Sequence, residues 1–311
     1  MLTIIVRRLL FGIPVIFGAA VLVFFVLRVL PGDPVAVLTA GVPTTPEMID
    51  NIRHQYGLDQ PLLVQFLMFV KSIFTGFGVS YTTNQSVLSM IVSQAPSSFE
   101  LALAAMVLIV IVGIGLGVLS AVYRNTWVDS LIRFVSLLGT SMPMFWTAIL
   151  LILFFSLRLH WFPATGDQSI QSLVLPAVAL SLLSSGLVIR LVRNSIIEVL
   201  GENFVRALRA RGLSPRVVIL KHILRNALIP TVTIIGLETG SLMAGAVITE
   251  TVFARRGLGS LLVSGILGKD YPLIQGTMLF IGIILVLVNI IVDISYAYLD
   301  PRVRTTLTKA R

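Results

Sequence analysis

Residues 101–123 form a stretch of 23 without one charged side chain. A helix rises 1.5 Å per residue, so such a stretch is long enough to cross the roughly 30 Å hydrocarbon layer of a bilayer. Related apolar stretches recur, giving six expected spans at 9–30, 99–123, 134–157, 172–190, 228–253 and 273–299. Lipid offers backbone groups no hydrogen-bond partner, so each span is predicted to be helical and the fold class is all-α integral membrane. Composition agrees. The chain is 56% hydrophobic and 12% charged, whereas soluble domains carry roughly 25% charged residues.

The first span follows Arg7 and Arg8, as a signal peptide would. It is too long for a typical signal core, and PGDP follows it instead of an A-x-A-like cleavage site. A retained first helix is expected. Lys and Arg are unevenly divided. With both termini cytoplasmic, only Arg28, Arg53, Lys71, Arg158, Arg255, Arg256 and Lys269 of the 23 fall outside. That bias favours N-in, C-in, multi-pass. The net charge of +9 is accounted for by basic inner loops beside lipid, and no nucleic-acid partner is expected. Without cysteine there is no disulfide or thiolate metal site. His54, His160 and His222 are too scattered for a local metal motif.

Three segments outside the spans carry signals. In 31–98, expected outside, Thr45 and Pro46 read as the N-cap and first residue of a helix that Gly57 ends. Asp59 and Pro61 are placed to start a second helix, LLVQFLMFVKSIF, too short to span and expected to lie at the interface or on other helices. Segment 254–272 reads as a short glycine-rich external connection. The domain reading is 1–98 as first span plus external helical segment, 99–300 as a five-helix core with an internal loop at 191–227, and 301–311 as a tail.

The internal loop is the most informative. Ile197, Leu200, Phe204, Val205 and Leu208 recur at helical spacing, opposite Glu198, Glu202, Arg206, Arg209 and Arg211. This predicts an amphipathic helix continuing the fourth span. Gly212 is placed to end it in the left-handed conformation. Ser214 and Pro215 then read as the cap and first residue of a helix leading into the fifth span at Pro230. A basic loop resting on anionic lipid is one reading; a rigid knuckle docked into a partner is the other.

Residues 206–230, RALRARGLSPRVVILKHILRNALIP, resemble the "EAA" coupling loop of binding-protein-dependent importers, and the dipeptide/oligopeptide/nickel branch in particular. PGDP (31–34), GLDQPL (57–62), SMPMFW (141–146), ITETVF (248–253), DYPLIQG (270–276) and NIIVDISYAYLDPRVR (289–304) resemble motifs of that branch, in order. Of the loop's three-residue name motif only Ala207 matches, and Leu224-Arg225 stands where Leu-Pro usually ends the motif. Phe77 stands where the branch often has Asp.

The resemblance implies a type I ABC importer permease fold with six transmembrane helices and a helical external insertion. It implies that Arg206, Ala207, Arg209, Gly212, Leu213, Ser214, Pro215, His222, Arg225 and Asn226 couple to an ATPase. It also implies a second homologous permease subunit in a heterodimer, two ABC ATPase subunits binding ATP and Mg, an external substrate-binding protein and a bacterial inner membrane. The chain has no G-x-x-x-x-G-K-[ST] phosphate loop, since Gly268-Lys269 is followed by Asp270. It is therefore expected to be a transport subunit without enzymatic chemistry or a cofactor of its own. Small peptides are the expected substrate, with nickel, metal chelates and glutathione left open. A secondary transporter would need ionisable residues near the midplane and usually internal repeats; only Glu238 fits. An intramembrane enzyme lacks an H-E-x-x-H motif or a convincing nucleophile and base.

A carboxylate at a spanning helix's centre costs roughly 2.5–3.5 kcal/mol, so Glu238 is expected to face a partner helix or a hydrated path. Ser141, Met142 and Ser241 join it as candidate pathway residues. Gly236, Gly240, Ala244 and Gly245 are spaced for close helix approach, which suits a dimer interface. Pro143 is expected to kink the third span. Asn289 and Asp293 are expected to hydrogen-bond between helices.

Overall fold

The computed structural model describes residues 2–29, 32–39, 43–214 and 217–299. Pro215, the side chain of Asp293 and the tail at 301–311 lie outside the described residues. In chain order the helices are α1 (Leu2–Val29), α2 (Pro34–Leu38), α3 (Pro46–Gln55), α4 (Leu62–Phe74), α5 (Val87–Val122), α6 (Trp127–Ser141), α7 (Met144–Leu151), α8 (Ile170–Leu200), α9 (Asn203–Ala210), α10 (Leu224–Val252), α11 (Leu258–Leu267) and α12 (Tyr271–Leu299). π-helical turns extend α7 over Ile152–Arg158 and precede α10 over Val218–Ile223.

Five of these helices are long and apolar enough to cross a membrane, and six spans result if the bent pair α6–α7 counts as one. The kink expected at Pro143 is a break. α6 ends at Ser141, Met142 is extended, and the two axes differ by 113°. Pro143 has no N–H to continue the ladder, and it disfavours a helical residue before it. The second span begins earlier than expected, at Val87 rather than 99, because α5 continues through Pro96.

The chain forms two compact units. One comprises Met1–Ser98 and Arg256–Ile290. Here Thr45 caps α3, its side chain accepting from Met48 N, and Gly57 follows the helix at φ +64°. Asp59 does not cap α4 as expected. Pro61 holds that position without a side-chain bond, and Asp59 pairs instead with His54 at 2.8 Å. α4 packs on α1 through aromatic rings, with Phe24 5.1 Å from Phe66 and 6.0 Å from Phe69. The stretch read as a glycine-rich connection contains α11, which buries Leu258, Leu261 and Leu262. Fully buried Asp270 caps α12 by accepting from Leu273 N, and also accepts from Ser80 Oγ at 2.6 Å and from Thr82 Oγ1 at 3.0 Å. Asn289 is exposed and makes no side-chain hydrogen bond among the described residues, contrary to the helix-to-helix bond expected of it.

The other unit comprises Phe99–Arg255 and the chain beyond residue 290. Its centre is α8, which starts at a Ser169–Ser172 capping box. Small residues bring neighbouring helices close. A methyl group on Gly113 or Gly117 of α5 would meet Val188 or Val192 of α8 at 2.6 and 2.7 Å. One on Gly186 would meet the Ser136 carbonyl of α6 at 2.6 Å, and one on Gly245 of α10 would meet Leu180 at 2.8 Å. In a bilayer such contacts, rather than water exclusion, hold helices together. Arg255 is buried and pairs with Glu100 at 2.6 Å.

Candidate functional site

The loop between α8 and α10 is anchored at its base by a buried carboxylate. Asp129 of α6 receives Arg193 of α8 through two bonds, Nε and Nη2, each of 2.8 Å. Ser120 Oγ donates to it at 2.6 Å and the Asn125 backbone N–H at 3.0 Å. Arg133, one turn along α6, lies 3.5 Å away. The Asp129 side chain is fully buried and that of Arg193 is 14% exposed. A forked guanidinium on a carboxylate sets orientation as well as attraction. The clamp therefore fixes α8 against the first turn of α6, about two helical turns before the chain leaves α8.

Past the clamp, the amphipathic helix does not continue the fourth span as expected. α8 stops at Leu200, Gly201 caps it, and Glu202 is extended (ψ 148°) before α9 begins. Glu202 lets the chain turn without losing apolar register. Val205 is buried, and Leu208 and Leu213 pack beneath it with Val218 and Ile223. Gly212 then ends α9 at φ +79°. Its N–H donates to the Arg209 carbonyl at 2.9 Å, and Leu213 N–H reaches the Leu208 carbonyl at 3.4 Å. This is the two-bond left-handed helix terminus that satisfies otherwise orphaned carbonyls. The Ser214 carbonyl accepts from Val218 N–H at 3.1 Å as the chain turns into the next helix.

The outer surface of this knuckle collects Arg206, Ala207, Arg209, Gly212 and Ser214, all exposed, with Phe204 at its edge. Arg206, Arg209 and Arg211 form no ion pair among the described residues. Leu213 is half-buried and faces the small core below. His222 is half-buried on the π-helical turn, and Arg225 and Asn226 are exposed beyond it, with Asn226 Nδ2 donating to the His222 carbonyl at 3.4 Å. The expected set thus divides into the knuckle and a second patch on the returning helix. The knuckle thus presents a cationic, partly apolar exposed surface. Among the described residues no cluster of metal-ligating side chains occurs.

Within the helices, Glu238 of α10 accepts from Ser184 Oγ of α8 and from Ser241 Oγ at 2.9 Å. Ser184 is buried, Glu238 half-buried and Ser241 exposed. The carboxylate is thus held by a neighbouring helix while part of it faces outward. Ser141 and Met142 lie at the α6–α7 break, and their side chains do not bond to it. Sequence reasoning missed Asp129 altogether. The available signal was an acid three residues after Thr126 in an otherwise basic turn.

Residues 113–305 match the family described as the binding-protein-dependent transport system inner membrane component, and residues 1–102 match the N-terminal region of such membrane components. The chain is 40% identical over 313 residues to a putative peptide transport system permease protein of Brucella abortus, covering 98% of this chain and 99% of that one. It is 38% identical over 333 residues to the di/tripeptide transport system permease protein DppB of Pseudomonas aeruginosa, with 98% and 99% covered. It is 40% identical over 305 residues to the glutathione transport system permease protein GsiC of Escherichia coli, again with 98% and 99% covered. A chain of the MetNI methionine ABC transporter in an inward-facing conformation superposes with a TM-score of 0.59 at 19% identity, covering 68% of this chain and 97% of that one. That likeness carries the fold alone. The chain belongs to the family of inner membrane permease components of binding-protein-dependent ABC importers.

Proposed function

We propose that this chain is one of two permease subunits of an ATP-driven importer of short peptides, and that the Gly212 knuckle is where ATPase motion enters it. The carrying observation is the arrangement of α9. Its outer surface is exposed and cationic, while its buried Val205 shares one hydrophobic core with Val218 and Ile223, on the segment that runs directly into α10. A push on α9 therefore bears on α10, and through it on the Glu238–Ser184 contact with α8. Two ATPase subunits supply ATP and Mg, a second, homologous permease subunit completes the path, and an external binding protein delivers substrate. The Lys and Arg bias supports a cytoplasmic knuckle, with both termini on the same side. Relatives named for peptides and for di- and tripeptides support the substrate class.

Glutathione is the second reading. It is supported by a relative of equal identity named for it, and chemically it is a tripeptide.

The test is reconstitution with a second permease subunit, two ATPase subunits and a substrate-binding protein from the same organism. ATP-dependent uptake of labelled di- or tripeptide into proteoliposomes is expected, as is cross-linking of Ala207→Cys in this cysteine-free chain to an ATPase cysteine. Failure of every peptide and of glutathione to enter, while another solute does, would overturn the substrate. Labelling of Ser214→Cys by an impermeant thiol reagent in intact cells would overturn the orientation.

A further inference from the structure

The unit formed by Met1–Ser98 and Arg256–Ile290 contains a half-open cavity of about 140 Å³. That is room for several water molecules, or for the end of a small organic molecule. Arg28, Gln65, Gln275 and three tyrosines, Tyr56, Tyr81 and Tyr271, contribute to its lining.

Arg28 is half-buried at the end of α1. Its Nε and Nη2 donate to Gln65 Oε1 at 3.1 and 2.8 Å, and Nη1 donates to the Phe24 carbonyl at 3.1 Å. Its guanidinium lies 3.5 Å from the centre of the Phe24 ring. Gln65 is itself oriented, because its Nε2 donates to the Leu58 and Gln60 carbonyls at 3.2 and 2.8 Å. Arg28 therefore points in a fixed direction, yet no acidic side chain pairs with it among the described residues. Three of the five guanidinium N–H groups are used, leaving two.

Gln275 is the second, independent observation. It is 6% exposed, and its Nε2 has no hydrogen-bond partner among the described residues. A buried N–H₂ left unpaired is unfavourable, because it gives up its bonds to water without replacement, and leucine or methionine at this position would avoid that loss. Tyr81 supplies a further O–H donor to the lining, and burial pushes its phenol above the usual range. The cavity thus joins a cation without an acidic partner and an unpaired donor to an aromatic wall in which Tyr56 and Tyr81 pack at a tilt of 36° with ring centres 4.2 Å apart.

We infer that this cavity is a subsite for a carboxylate on a small apolar body, and that its ligand is the C-terminal carboxylate of a short peptide. The peptide assignment rests on the proposed import function; the anion site rests on Arg28 and Gln275 alone. A single cation beside an aromatic wall suits a monoanion with a carbon body better than a phosphate. If the basic bias has set the orientation, the cavity lies on the outer side, where substrate is handed over.

The test uses the purified full complex in nanodiscs, without binding protein, and ligand-observed NMR titration with alanyl-phenylalanine, its C-terminal amide, acetate and inorganic phosphate. The dipeptide is expected to bind at least 10-fold more tightly than its amide. Arg28→Gln is expected to weaken it at least 10-fold and Gln275→Leu several-fold. Gln275→Leu also separates binding from folding. It removes an unpaired buried group, so the melting temperature should hold or rise while affinity falls. Equal binding of acid and amide, or wild-type affinity in both variants, overturns the proposal. Phosphate outcompeting acetate overturns the carboxylate assignment in favour of a phosphate-bearing ligand such as a lipid headgroup. Wild-type peptide uptake by both variants with no cavity binding sinks this subsite and leaves the import reading standing. Retained acetate binding with no peptide uptake sinks the import reading and the peptide assignment but not the anion site.

Discussion

The turns at Gly57 and Gly212 are one piece of backbone in two settings. Each follows a short polar helix, each glycine is left-handed at φ +64° and +79°, and each makes the same pair of bonds. Gly57 N–H donates to His54 O and Leu58 N–H to Arg53 O, matching Gly212 to Arg209 and Leu213 to Leu208. Their surroundings differ. A methyl group added to Gly57 would stand 3.3 Å from Met68 Sδ, whereas one added to Gly212 would meet nothing within 4 Å among the described residues. Side chains brace the first turn, since Arg53 pairs with Asp33 and His54 with Asp59. The second stands clear of its neighbours and is anchored only from beneath. The first turn is thus tied by side chains to its own unit, while the second presents its shape without such ties among the described residues.

The sharpest way to break that comparison is to put valine at both glycines. Each change incurs the left-handed penalty of roughly 1–2 kcal/mol. Gly212→Val should still insert, but should abolish substrate-stimulated ATP hydrolysis in the reconstituted complex. Gly57→Val should lower thermal stability and leave the ratio of transport to ATP hydrolysed unchanged. If Gly212→Val transports like wild type, the two turns are equivalent and the lipid-surface reading of the loop gains.

Next in size is the anchor beneath the Gly212 turn. Asp129→Ala leaves the Arg193 guanidinium without its carboxylate and should cost about 3–5 kcal/mol, read as a fall in melting temperature of the purified protein. Arg53→Gln, at the exposed Arg53–Asp33 pair beside the Gly57 turn, should move the melt little. Equal losses would erase the distinction between an anchored loop and a braced one.

Glu238 tests whether motion at the knuckle reaches the helices. Glu238→Gln keeps an acceptor for Ser184 and should assemble normally. Glu238→Leu strands the buried Ser184 hydroxyl and should be worse by about 1–3 kcal/mol. Matching stability and transport in the two variants would make the carboxylate incidental.

The smallest effect is a titration. The hydrogen bond to Asp59 raises the His54 imidazole above its ordinary value, and the bond from His54 lowers the Asp59 carboxyl. A raised histidine stabilises fully below its unfolded value near 6.5 and loses that contribution as pH climbs through the folded one; a lowered carboxylate loses its share as pH falls. The brace at the Gly57 turn is therefore complete only between those limits. Histidine NMR should show His54 titrating high in the wild type and nearer its ordinary value in Asp59→Asn. An unchanged curve would remove this pair from the brace.

Features encoded by neighbouring residues were legible in the sequence. Thr45 with Pro46, Gly57, and Gly212 followed by Ser214 are signals read within a few positions, and the apolar runs are longer than any soluble alternative allows. Legibility failed where the deciding partner was distant or the local signal misled. Apolar spacing from Ile197 to Leu208 is continuous, so it hid the break at Gly201 and Glu202. Glycines at 257, 259, 265 and 268 suggested a loop, but α11 buries Gly259 and Gly265, and a methyl group on Gly265 would stand 3.1 Å from Ile274 Cγ1. Asp129 and Arg193 are 64 positions apart, and no periodicity announces a pair at that distance. Gln275 looked like one polar residue in an apolar helix until the cavity around it was visible.

The cage around Asp270 bears on how the chain is made. Its hydroxyl donor Ser80 stands 190 positions earlier, and the unit holding both is built from the first 98 residues together with Arg256–Ile290. At about 5–20 residues per second, synthesis separates the two partners by roughly 10–40 s. Throughout that interval Ser80 and Thr82 have no carboxylate to bind, and the apolar face that α11 later covers is open. The amino-terminal part of this permease is thus a half-built module that awaits nearly the last span from the ribosome. A nascent chain stopped before residue 256 would be left with an orphaned module, a natural target for membrane quality control.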